Sequence, residues 1–427
     1  MNTIINPARS EWQSLCVRPS DDNPVISERV TKILERVRKG GDSAIRELAA
    51  EIDGASLTSL QVSESEIEEA SALVSGSLKA AIAEAADNIR AFHKAQLPQT
   101  IEVVTSPGVR CIQKPVAISK VGLYIPGGTA PLFSTVLMLA IPAEIAGCKE
   151  TVLCTPTGKD GKVSPAVLYA ADFCGVDKIF KIGGAQAIAA MAFGTESIPK
   201  VDKIFGPGNQ YVTTAKQVLG GHEVAIDMPA GPSEVMVIVD KDSNPAFAAA
   251  DLLSQAEHGR DSQVILLSTD AAMADAISTE VDRQVEVLGR AELAKGALSK
   301  SHFVVLPSEE DIIDFANLYA PEHLIISTAE PWRIADSITA AGSVFVGEYS
   351  PESAGDYASG TNHTLPTSGW AHSYSGVNID SFMRKMTIQE LSRDGLEALA
   401  PTIIKMADAE GLQAHANAAR IRITSNE

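Results

Sequence analysis

The sequence predicts an α/β protein with two Rossmann-like, doubly wound parallel-sheet domains and small helical appendages at its N- and C-terminal ends. Strand and helix patterns alternate from residue 115 to residue 233, and a second alternating series follows residue 233. Alternation of this kind is typical of parallel sheets with helices on both faces. No low-complexity linker separates the two series, so we expect two similar domains that pack closely.

Residues 21–96 have a helical pattern. In "ISERVTKILERVRKGGDSAIRELAAEIDG" apolar residues recur at spacings of three and four. Gly40 and Gly41 interrupt this pattern, which predicts two helices. A further helix is predicted from "SESEIEEASALV" to "AFHKAQ", where Ser63 and Glu66 have the spacing of a capping box.

The first alternating series begins with the strand "VGLYIPGG" and an apolar helix. After them come the strands "TVLCTP", "KIFKIGGAQ" and "VDKIFGPGN", which alternate with the helices "SPAVLYAADFCG", "AIAAMAFG" and "QYVTTAKQVL". The second series has the strands "EVMVIVD", "QVILLSTD", "HFVVLPS", "HLIIST" and "SVFVG", with helices between them. The last segment, from "DSFMRKMTIQEL" to "ANAARIRI", is predicted to be helical.

The charge of the chain narrows the class of partner. The formal net charge is -19 and the isoelectric point is about 4.9. Such an acidic chain repels phosphate backbones and anionic lipids, so small molecules are favoured over nucleic acid or membrane surfaces. The most apolar run, "PLFSTVLMLAIPAEIAG", contains Pro142 and Glu144 and is too short to span a bilayer, which predicts a buried helix. The segment "MNTIINPARSEWQ" lacks the apolar core of a secretory signal.

The cysteines favour a reducing compartment. The five of them form no C-x-x-C pair, so neither a disulfide framework nor a thiolate zinc site is expected, and the predicted location is cytoplasmic. Each cysteine lies in an apolar or strand-like context, which does not favour a nucleophile.

Glycine-rich turns mark one candidate site. In open parallel sheets, ligands bind beyond the carboxyl ends of the strands, and here those ends carry "LYIPGG", "KIGGAQ" and "IFGPGN". Tyr124, Gln186 and Asn209 offer polar or stacking groups there. No G-x-G-x-x-G occurs, and no acidic residue stands at the usual ribose distance, so a nucleotide site and ordinary strand–helix turns both remain open.

A candidate metal site begins in "LLSQAEHGRDS". Gln255 and His258 stand three residues apart and share one face of a helix. Two neutral ligands hold a divalent ion poorly, so an anionic ligand must come from elsewhere. Asp356 and His415 would complete a mixed nitrogen and oxygen shell that suits zinc, manganese or cobalt at an open site. The alternative for His415, together with Glu410, is a solvated helix face.

Two further stretches contain residues capable of proton transfer. "APEHLII" places Glu322 beside His323, and the two can share a site only if this stretch is a turn; the alternative is a solvated strand cap. "ESAGDYASGTNHTLP", residues 352–366, is predicted to be a long loop that carries Asp356 and His363, and loops of this kind are usually either functional or disordered. The remaining histidines lack comparable neighbours and are predicted to be surface or packing residues: His93, His222, His302 and His372.

Together these stretches resemble the histidinol dehydrogenase family. The shared motifs occur in order and cover nearly the whole chain: "VGLYIPGGTAPLFSTVLMLAIPAEIAGC", "GGAQAIAA", "VDKIFGPGN", "IDMPAGPSEV", "DLLSQAEHG", "PEHL", "SAGDYASGTNH" and "AEGLQAHANA". Departures are confined to the N-terminal helices and the loop near residues 155–163.

The resemblance implies a zinc-dependent homodimer that acts at the end of histidine biosynthesis. Members oxidise L-histidinol through the aldehyde to L-histidine with two NAD+ in turn. The motifs imply that the zinc ligands are Gln255, His258, Asp356 and His415, with His415 donated across the dimer interface. We expect zinc to orient the imidazole and amine of histidinol as a template.

The resemblance also assigns roles to the other candidates. His323 is implied as the general base for the alcohol proton, and Glu322 as the group that activates water for the second oxidation. The implied substrate contacts include the metal ligands and His323, with Ser233, Glu410 and His363. The implied NAD contacts are Tyr124, Gln186 and Asn209.

The implied domains follow from the same resemblance. They are an N-terminal extension at 1–20, a first α/β domain with the metal and catalytic residues at 21–123 and 234–376, an inserted NAD-binding α/β domain at 124–233 and a helical dimerisation appendage at 377–427. Three rival functions are an oxidation of other small alcohols such as sulfonated diols, a non-catalytic metal- or nucleotide-binding protein and a zinc hydrolase. The intact candidate residues and the glycine turns argue against the last two, and a substrate screen decides the first.

Overall fold

The computed structural model describes residues 2–18, 24–127, 131–228 and 230–424. It divides into two compact units, each described here by itself. The first unit comprises Met1–Gln96 and Ile118–Ser381, and the second comprises Leu97–Ala117 and Phe382–Glu427.

Both units contain strands. The strands are β1 (Asn2–Ile5), β2 (Ile101–Ser106), β3 (Val109–Ala117), β4 (Lys120–Tyr124), β5 (Glu150–Thr155), β6 (Lys178–Lys181), β7 (Lys203–Phe205), β8 (Ala225–Ile226), β9 (Glu234–Val239), β10 (Gln263–Ser268), β11 (His302–Val305), β12 (His323–Ser327), β13 (Ser343–Val346) and β14 (Met383–Leu391).

Helices connect most of these strands. The helices are α1 (Arg9–Leu15), α2 (Pro24–Leu48), α3 (Glu64–Leu73), α4 (Gly76–Lys94), α5 (Phe133–Ala146), α6 (Pro165–Phe173), α7 (Gly184–Phe193), α8 (Gln210–Leu219), α9 (Pro245–Ala256), α10 (Ala271–Val285), α11 (Ala291–Leu298), α12 (Glu309–Tyr319), α13 (Pro331–Ala335), α14 (Glu352–Tyr357), α15 (Arg393–Ala409) and α16 (Gln413–Thr424). A π-helical turn, Ala49–Asp53, follows α2.

One parallel sheet of the first unit has, over the described residues, six strands in the order β1-β11-β10-β9-β12-β13. Its central strands β9 and β10 are buried throughout, because "EVMVIV" and "QVILLS" direct apolar side chains to both faces. Separate apolar clusters form on the two faces, one around α9 and α10 and the other around α1 and α12. The strand order reverses between β9 and β12.

The other parallel sheet of this unit has, within the described ranges, five strands in the order β6-β5-β4-β7-β8. Its strand order reverses between β4 and β7, which is the type of position where open sheets bind ligands. The N-terminal helices pack over this sheet: α2 contacts α7 and α8, α3 contacts α6, and α4 contacts α5. The predicted α/β fold class with two doubly wound parallel sheets is therefore confirmed.

Several predicted elements are also confirmed. Gly41 has a φ of 50° and interrupts α2, so the glycine pair breaks the helix as predicted. Ser63 and Glu66 form the predicted capping box of α3. The apolar run that begins at residue 131 forms the buried helix α5. Among the described residues, no helix is both long and apolar enough to cross a membrane.

Other predictions need correction. The single helix expected after Ser63 is two helices, since Val74 is extended at the end of α3. Part of the supposed 352–366 loop forms α14. The last segment is not entirely helical, because β14 pairs antiparallel with β3, which pairs in turn with β2. The predicted domain boundaries stay a prediction.

Candidate active site

A cavity of about 520 Å³ lies in the first unit where the two parallel sheets face each other. The six-stranded sheet contributes the amino ends of β9 and β12, and the five-stranded sheet contributes the turns after β4 and β7. The residues that line it include Pro126, Thr135, Gly208, Asn209, Ser233, Gln255, His258, Glu322, His323, Asp356, His363 and Ser368. The structure therefore brings candidates from both predicted sites to one space.

Glu322 and His323 lie where the chain bends into β12. Both line the cavity and are buried, with exposed fractions of 6% and 4%. The sequence leaves a shared site and a solvated strand cap open; the bend at Glu322 and the burial of both residues contradict the solvated cap. Glu322 Oε2 accepts a hydrogen bond of 2.8 Å from the backbone N–H of Glu234 and one of 3.4 Å from Gln255 Nε2.

The backbone of β9 determines the tautomer of His323. Its Nδ1 lies 3.1 Å from the carbonyl oxygen of Glu234, and a carbonyl only accepts, so Nδ1 donates. Nε2 has no hydrogen-bond partner among the described residues and lies 3.7 Å from Asp356 Oδ1. In a neutral ring, Nε2 is then the basic nitrogen, and it is the one available for proton transfer.

Three carboxyl groups surround this imidazole. His323 Nδ1 is 3.6 Å from Glu322 and 3.8 Å from Glu352, in addition to the contact between Nε2 and Asp356. Burial raises the pKa of Glu322 and of Glu352 to about 8. Burial by itself lowers the pKa of His323, but the surrounding carboxylates raise it well above 6.5. The pair therefore combines an imidazole with a buried carboxyl group whose pKa is raised, which is an arrangement suited to acid–base chemistry.

A candidate metal site adjoins the pair. The ligand atoms of His258, Glu352 and Asp356 all lie within 4.8 Å of one another. Gln255 Oε1 is buried and, within the described part of the chain, has no hydrogen-bond partner, because the amide donates to Glu322 from its other side. An unpartnered amide oxygen, an imidazole and carboxylates suit a divalent cation. These residues therefore fit zinc.

Glu352 is the residue that the sequence analysis missed. Glu352 and Asp356 stand four residues apart and lie on one face of α14. The spacing is visible in "ESAGDY", but it places the two side chains together only in a helix, whereas the sequence predicts a loop here. Glu352 is 1% exposed, and its Oε2 has no hydrogen-bond partner in the described ranges.

His363 is held by bonds to the protein on both sides of its ring. Nδ1 lies 2.9 Å from the carbonyl oxygen of Asp356 and must donate to it, so Nε2 accepts from Thr135 Oγ1 at 3.2 Å. Burial lowers the pKa of His363, which favours this neutral form. The ring thus connects the backbone of Asp356 to α5. Ser233, just before β9, lines the cavity as well.

The predicted NAD residues occupy two environments. Asn209 lines the cavity and caps α8, where its Oδ1 accepts from Tyr211 N and Val212 N at 3.0 and 3.2 Å. Tyr124, at the end of β4, and Gln186, in the first turn of α7, are both buried. The hydroxyl of Tyr124 accepts from Gly184 N at 3.1 Å, and burial raises the pKa of Tyr124 to about 12.

An acidic residue lies beside these NAD candidates after all. Gln186 Nε2 is 3.4 Å from Asp53 Oδ2, and Asp53 ends the π-helical turn that follows α2. Asp53 precedes the glycine-rich turns by more than 70 residues, so the usual ribose distance along the chain does not point to it. Packing of α2 on α7 brings it there.

The turn after β7 depends on a glycine and a buried ion pair. Gly206 has a φ of 125°, and a Cβ on it would lie 2.1 Å from the carbonyl oxygen of Tyr124. Lys216 is ion-paired with Asp227; Lys216 Nζ donates to Gly206 O at 2.9 Å, and Gly206 N donates to Asp227 Oδ2 at 2.8 Å. The pair therefore holds both polar backbone groups of Gly206.

Glu410 and His415 belong to the second unit. Glu410 follows the last residue of α15, and His415 lies on α16; both are exposed in the chain by itself. Their assignment to the site stays a prediction. Burial raises the pKa of Cys16 to about 11 and that of Cys174 to about 12, which does not favour either thiol as a nucleophile.

These features define an α/β enzyme with a buried acid–base pair beside a candidate cation site. The model of the histidinol dehydrogenase family matches residues 16–423. Histidinol dehydrogenase of Bacteroides fragilis is 57% identical over 423 residues, 99% of each chain. That of Escherichia coli K12 is 53% identical over 432 residues, 99% of this chain and 98% of the relative.

A solved structure agrees. The crystal structure of histidinol dehydrogenase from Elizabethkingia anophelis has a TM-score of 0.97 and 52% identity, and the match covers 100% of this chain and 98% of that one. The chain therefore belongs to the histidinol dehydrogenase family, whose members are oxidoreductases that oxidise histidinol with NAD.

Proposed function

We propose that this chain oxidises L-histidinol through L-histidinaldehyde to L-histidine, with two NAD+ as successive hydride acceptors and zinc as the resident metal. The main support is one observation. His323, whose Nε2 has no hydrogen-bond partner among the described residues, lines a cavity that Glu322 and the candidate metal residues also line. The cavity thus combines a proton acceptor, His323, with the carboxyl group of Glu322 and a candidate cation site. This combination suits two consecutive dehydrogenations.

In the first oxidation, His323 Nε2 accepts the hydroxyl proton of histidinol while hydride leaves the carbinol carbon for NAD+. Nδ1 keeps its bond to the Glu234 carbonyl oxygen, so the ring stays oriented as it becomes charged. The nearby carboxylates Glu352 and Asp356 stabilise the imidazolium.

In the second oxidation, Glu322 accepts a proton from the water that adds to the aldehyde. Hydride then leaves the hydrated carbon for the second NAD+, and the product is the carboxylic acid. A pKa near 8 places the proton exchange of Glu322 close to neutral pH. Its hydrogen bond from Glu234 N keeps the carboxyl group beside His323.

Zinc would be held by Gln255, His258 and Asp356, together with His415. When bound, zinc would supply a positive centre for which the imidazole and amine of histidinol are suitable ligands, and so would help to orient the carbinol carbon. In a homodimer, His415 would come from the neighbouring subunit. Ser233 and Glu410 would contact the substrate, whereas the bonds of His363 favour a role in holding Asp356.

NAD would bind at the turns of the five-stranded sheet. Asn209 lines the cavity there, and the hydroxyl of Tyr124 accepts a hydrogen bond from the first residue of α7, the helix that carries Gln186. Asp53, next to Gln186, adds a carboxylate of the type that binds ribose hydroxyl groups. We expect the enzyme to work in the cytoplasm, as its composition and cysteines indicate.

The test is the stoichiometry of the reaction with the purified protein. We expect two NADH for each histidine formed from L-histidinol, loss of activity with a chelator and recovery with zinc. One NADH with free aldehyde would contradict the role of Glu322. Full activity after complete removal of metal would contradict the role of zinc. No activity on histidinol, but activity on a sulfonated diol, would favour the rival substrate class.

A further inference from the structure

One residue of β9 contacts both members of the acid–base pair through its backbone. The N–H of Glu234 donates to Glu322 Oε2 at 2.8 Å, and its carbonyl oxygen accepts from His323 Nδ1 at 3.1 Å. A shift of this one peptide segment would therefore move the carboxyl group and rotate the imidazole together. The position of Glu234 determines the geometry of the pair.

The side chain of Glu234 is buried, 2% exposed, and needs compensation for its charge. Arg18 compensates this charge with two parallel hydrogen bonds, from Nε to Oε1 and from Nη2 to Oε2, each 3.1 Å long. The backbone N–H of Ser368 donates to Oε1 at 2.7 Å. A bidentate pair of this kind holds the carboxylate in one orientation.

Arg18 is itself held against the segment that leads to Glu322. Its guanidinium lies 3.6 Å from the centre of the Tyr319 ring, and Nη2 donates to the carbonyl oxygen of Tyr319 at 2.5 Å. The hydroxyl of Tyr319 donates to Gln263 Oε1 at 2.7 Å. Tyr319 ends α12, three residues before Glu322, so Arg18 connects the start of β9 to the approach to β12.

We propose that Arg18 and Glu234 are positioning residues that hold Glu322 and His323 in reacting geometry. Neither side chain lines the cavity, and both act through the backbone of β9 and of the turn before β12. Arg18, which lies between α1 and α2, would then contribute to the site without lining the cavity. This inference rests on the proposed roles of Glu322 and His323.

The test compares zinc-loaded variants in steady-state kinetics. Arg18→Met removes the guanidinium, and we expect kcat to fall about 100-fold with the KM for histidinol and for NAD within about twofold, because small displacements of reacting groups cost rate more than binding. Arg18→Lys keeps a charge beside Glu234 but loses the bidentate fork, so it should fold and lose about tenfold in kcat.

A matched control separates positioning from loss of stability. Trp12 packs on Phe315 with ring centres 5.5 Å apart and docks the same N-terminal segment away from the pair. Trp12→Leu should lower the Tm while kcat per folded, zinc-bound molecule stays within about twofold of the unmodified enzyme. The nitrogen NMR signals of the His323 ring give a second readout, since Arg18→Lys should mix its tautomers.

The possible results distinguish failure of this inference from failure of the proposed function. A folded Arg18→Lys variant with unchanged kcat and an unchanged His323 tautomer overturns the inference. So does an Arg18→Lys kcat that falls no further than that of Trp12→Leu at equal Tm loss. If the unmodified enzyme itself fails to oxidise histidinol, the proposed function fails instead, and the NMR comparison still tests whether Arg18 orients His323.

Discussion

The two parallel sheets use opposite edges at the cavity. The five-stranded sheet presents the turns after its carboxyl ends. There the Asn209 side chain accepts from the backbone of α8, and the backbone of Gly206 is bonded to the side chains of Asp227 and Lys216. The six-stranded sheet presents its amino ends, where Gln255 Oε1, His323 Nε2 and Glu352 Oε2 lack hydrogen-bond partners within the described ranges. The polar groups of the first edge are thus already hydrogen-bonded within the protein, whereas those of the second edge are available to react or to bind a cation.

The difference shows that the carboxyl-edge rule for ligands covers only half of this site. In a parallel sheet the connecting helices run back toward the amino edge, so the end of α9 delivers Gln255 and His258 there. A helix C-terminus carries partial negative charge, which favours a cation. The reacting edge therefore combines strand starts with a helix end.

Removal of the base should give the largest effect at the reacting edge. In His323→Asn the cavity keeps its other groups, but no nitrogen accepts the alcohol proton, so we expect kcat for histidinol to fall about 10³-fold. Zinc content and NAD binding should persist and serve as the control. Residual activity above one tenth of the unmodified enzyme would show that another group is the base.

Replacement of the Glu322 carboxyl group should slow the second oxidation much more than the first. In Glu322→Gln, we expect the yield to change from two NADH per histidinol toward one, with aldehyde released, and histidine formation to fall about 100-fold. The measurement is a product balance by chromatography beside NADH absorbance. Equal losses in both oxidations would mean that Glu322 does not act chiefly on water.

A change at the five-stranded edge should affect cofactor binding instead. Lys216→Met breaks the buried pair that holds Gly206, so we expect the KM for NAD to rise about tenfold with kcat changed less, and the Tm to fall. Lys203→Met is the matched control, because Lys203 bonds to Ser381 O at 2.8 Å near the other end of β7. An unchanged KM for NAD would separate this turn from cofactor binding.

The smallest effect concerns stability and pH. Burial raises the pKa of Asp251 in α9 to about 7 from 3.8. The unfolded chain thus loses this proton first, so the stability contribution of Asp251 is complete below about pH 4 and declines as pH rises to about 7. Asp251→Asn removes that decline, worth at most about 4 kcal/mol.

The measurement is the Tm of both proteins from pH 4 to pH 8. We expect the Tm of Asp251→Asn minus that of the unmodified chain to increase through this range and to level off above pH 7. A constant difference would mean that Asp251 ionises in the folded chain as readily as in the unfolded one.

Much of this molecule follows from local pattern. Continuous apolar stretches such as "EVMVIV" indicate buried parallel strands, and a spacing of three places Gln255 and His258 together at a helix end. Adjacent residues such as Glu322 and His323 need no fold to be neighbours. The sequence does not predict the strand β14. This strand is largely exposed, so it lacks the alternation of apolar and polar residues that indicates a strand.

The sequence by itself determined the order of strands and helices, the glycine turns and the pairs of candidate residues that are close along the chain. Only the tertiary structure decided which distant segments meet: Glu352 with His258, Asp53 with Gln186, and Arg18 with Glu234. The reason is physical. Periodicity records which side chains are buried, whereas the partner of a buried polar group depends on strand order and helix packing, which join residues far apart in the chain.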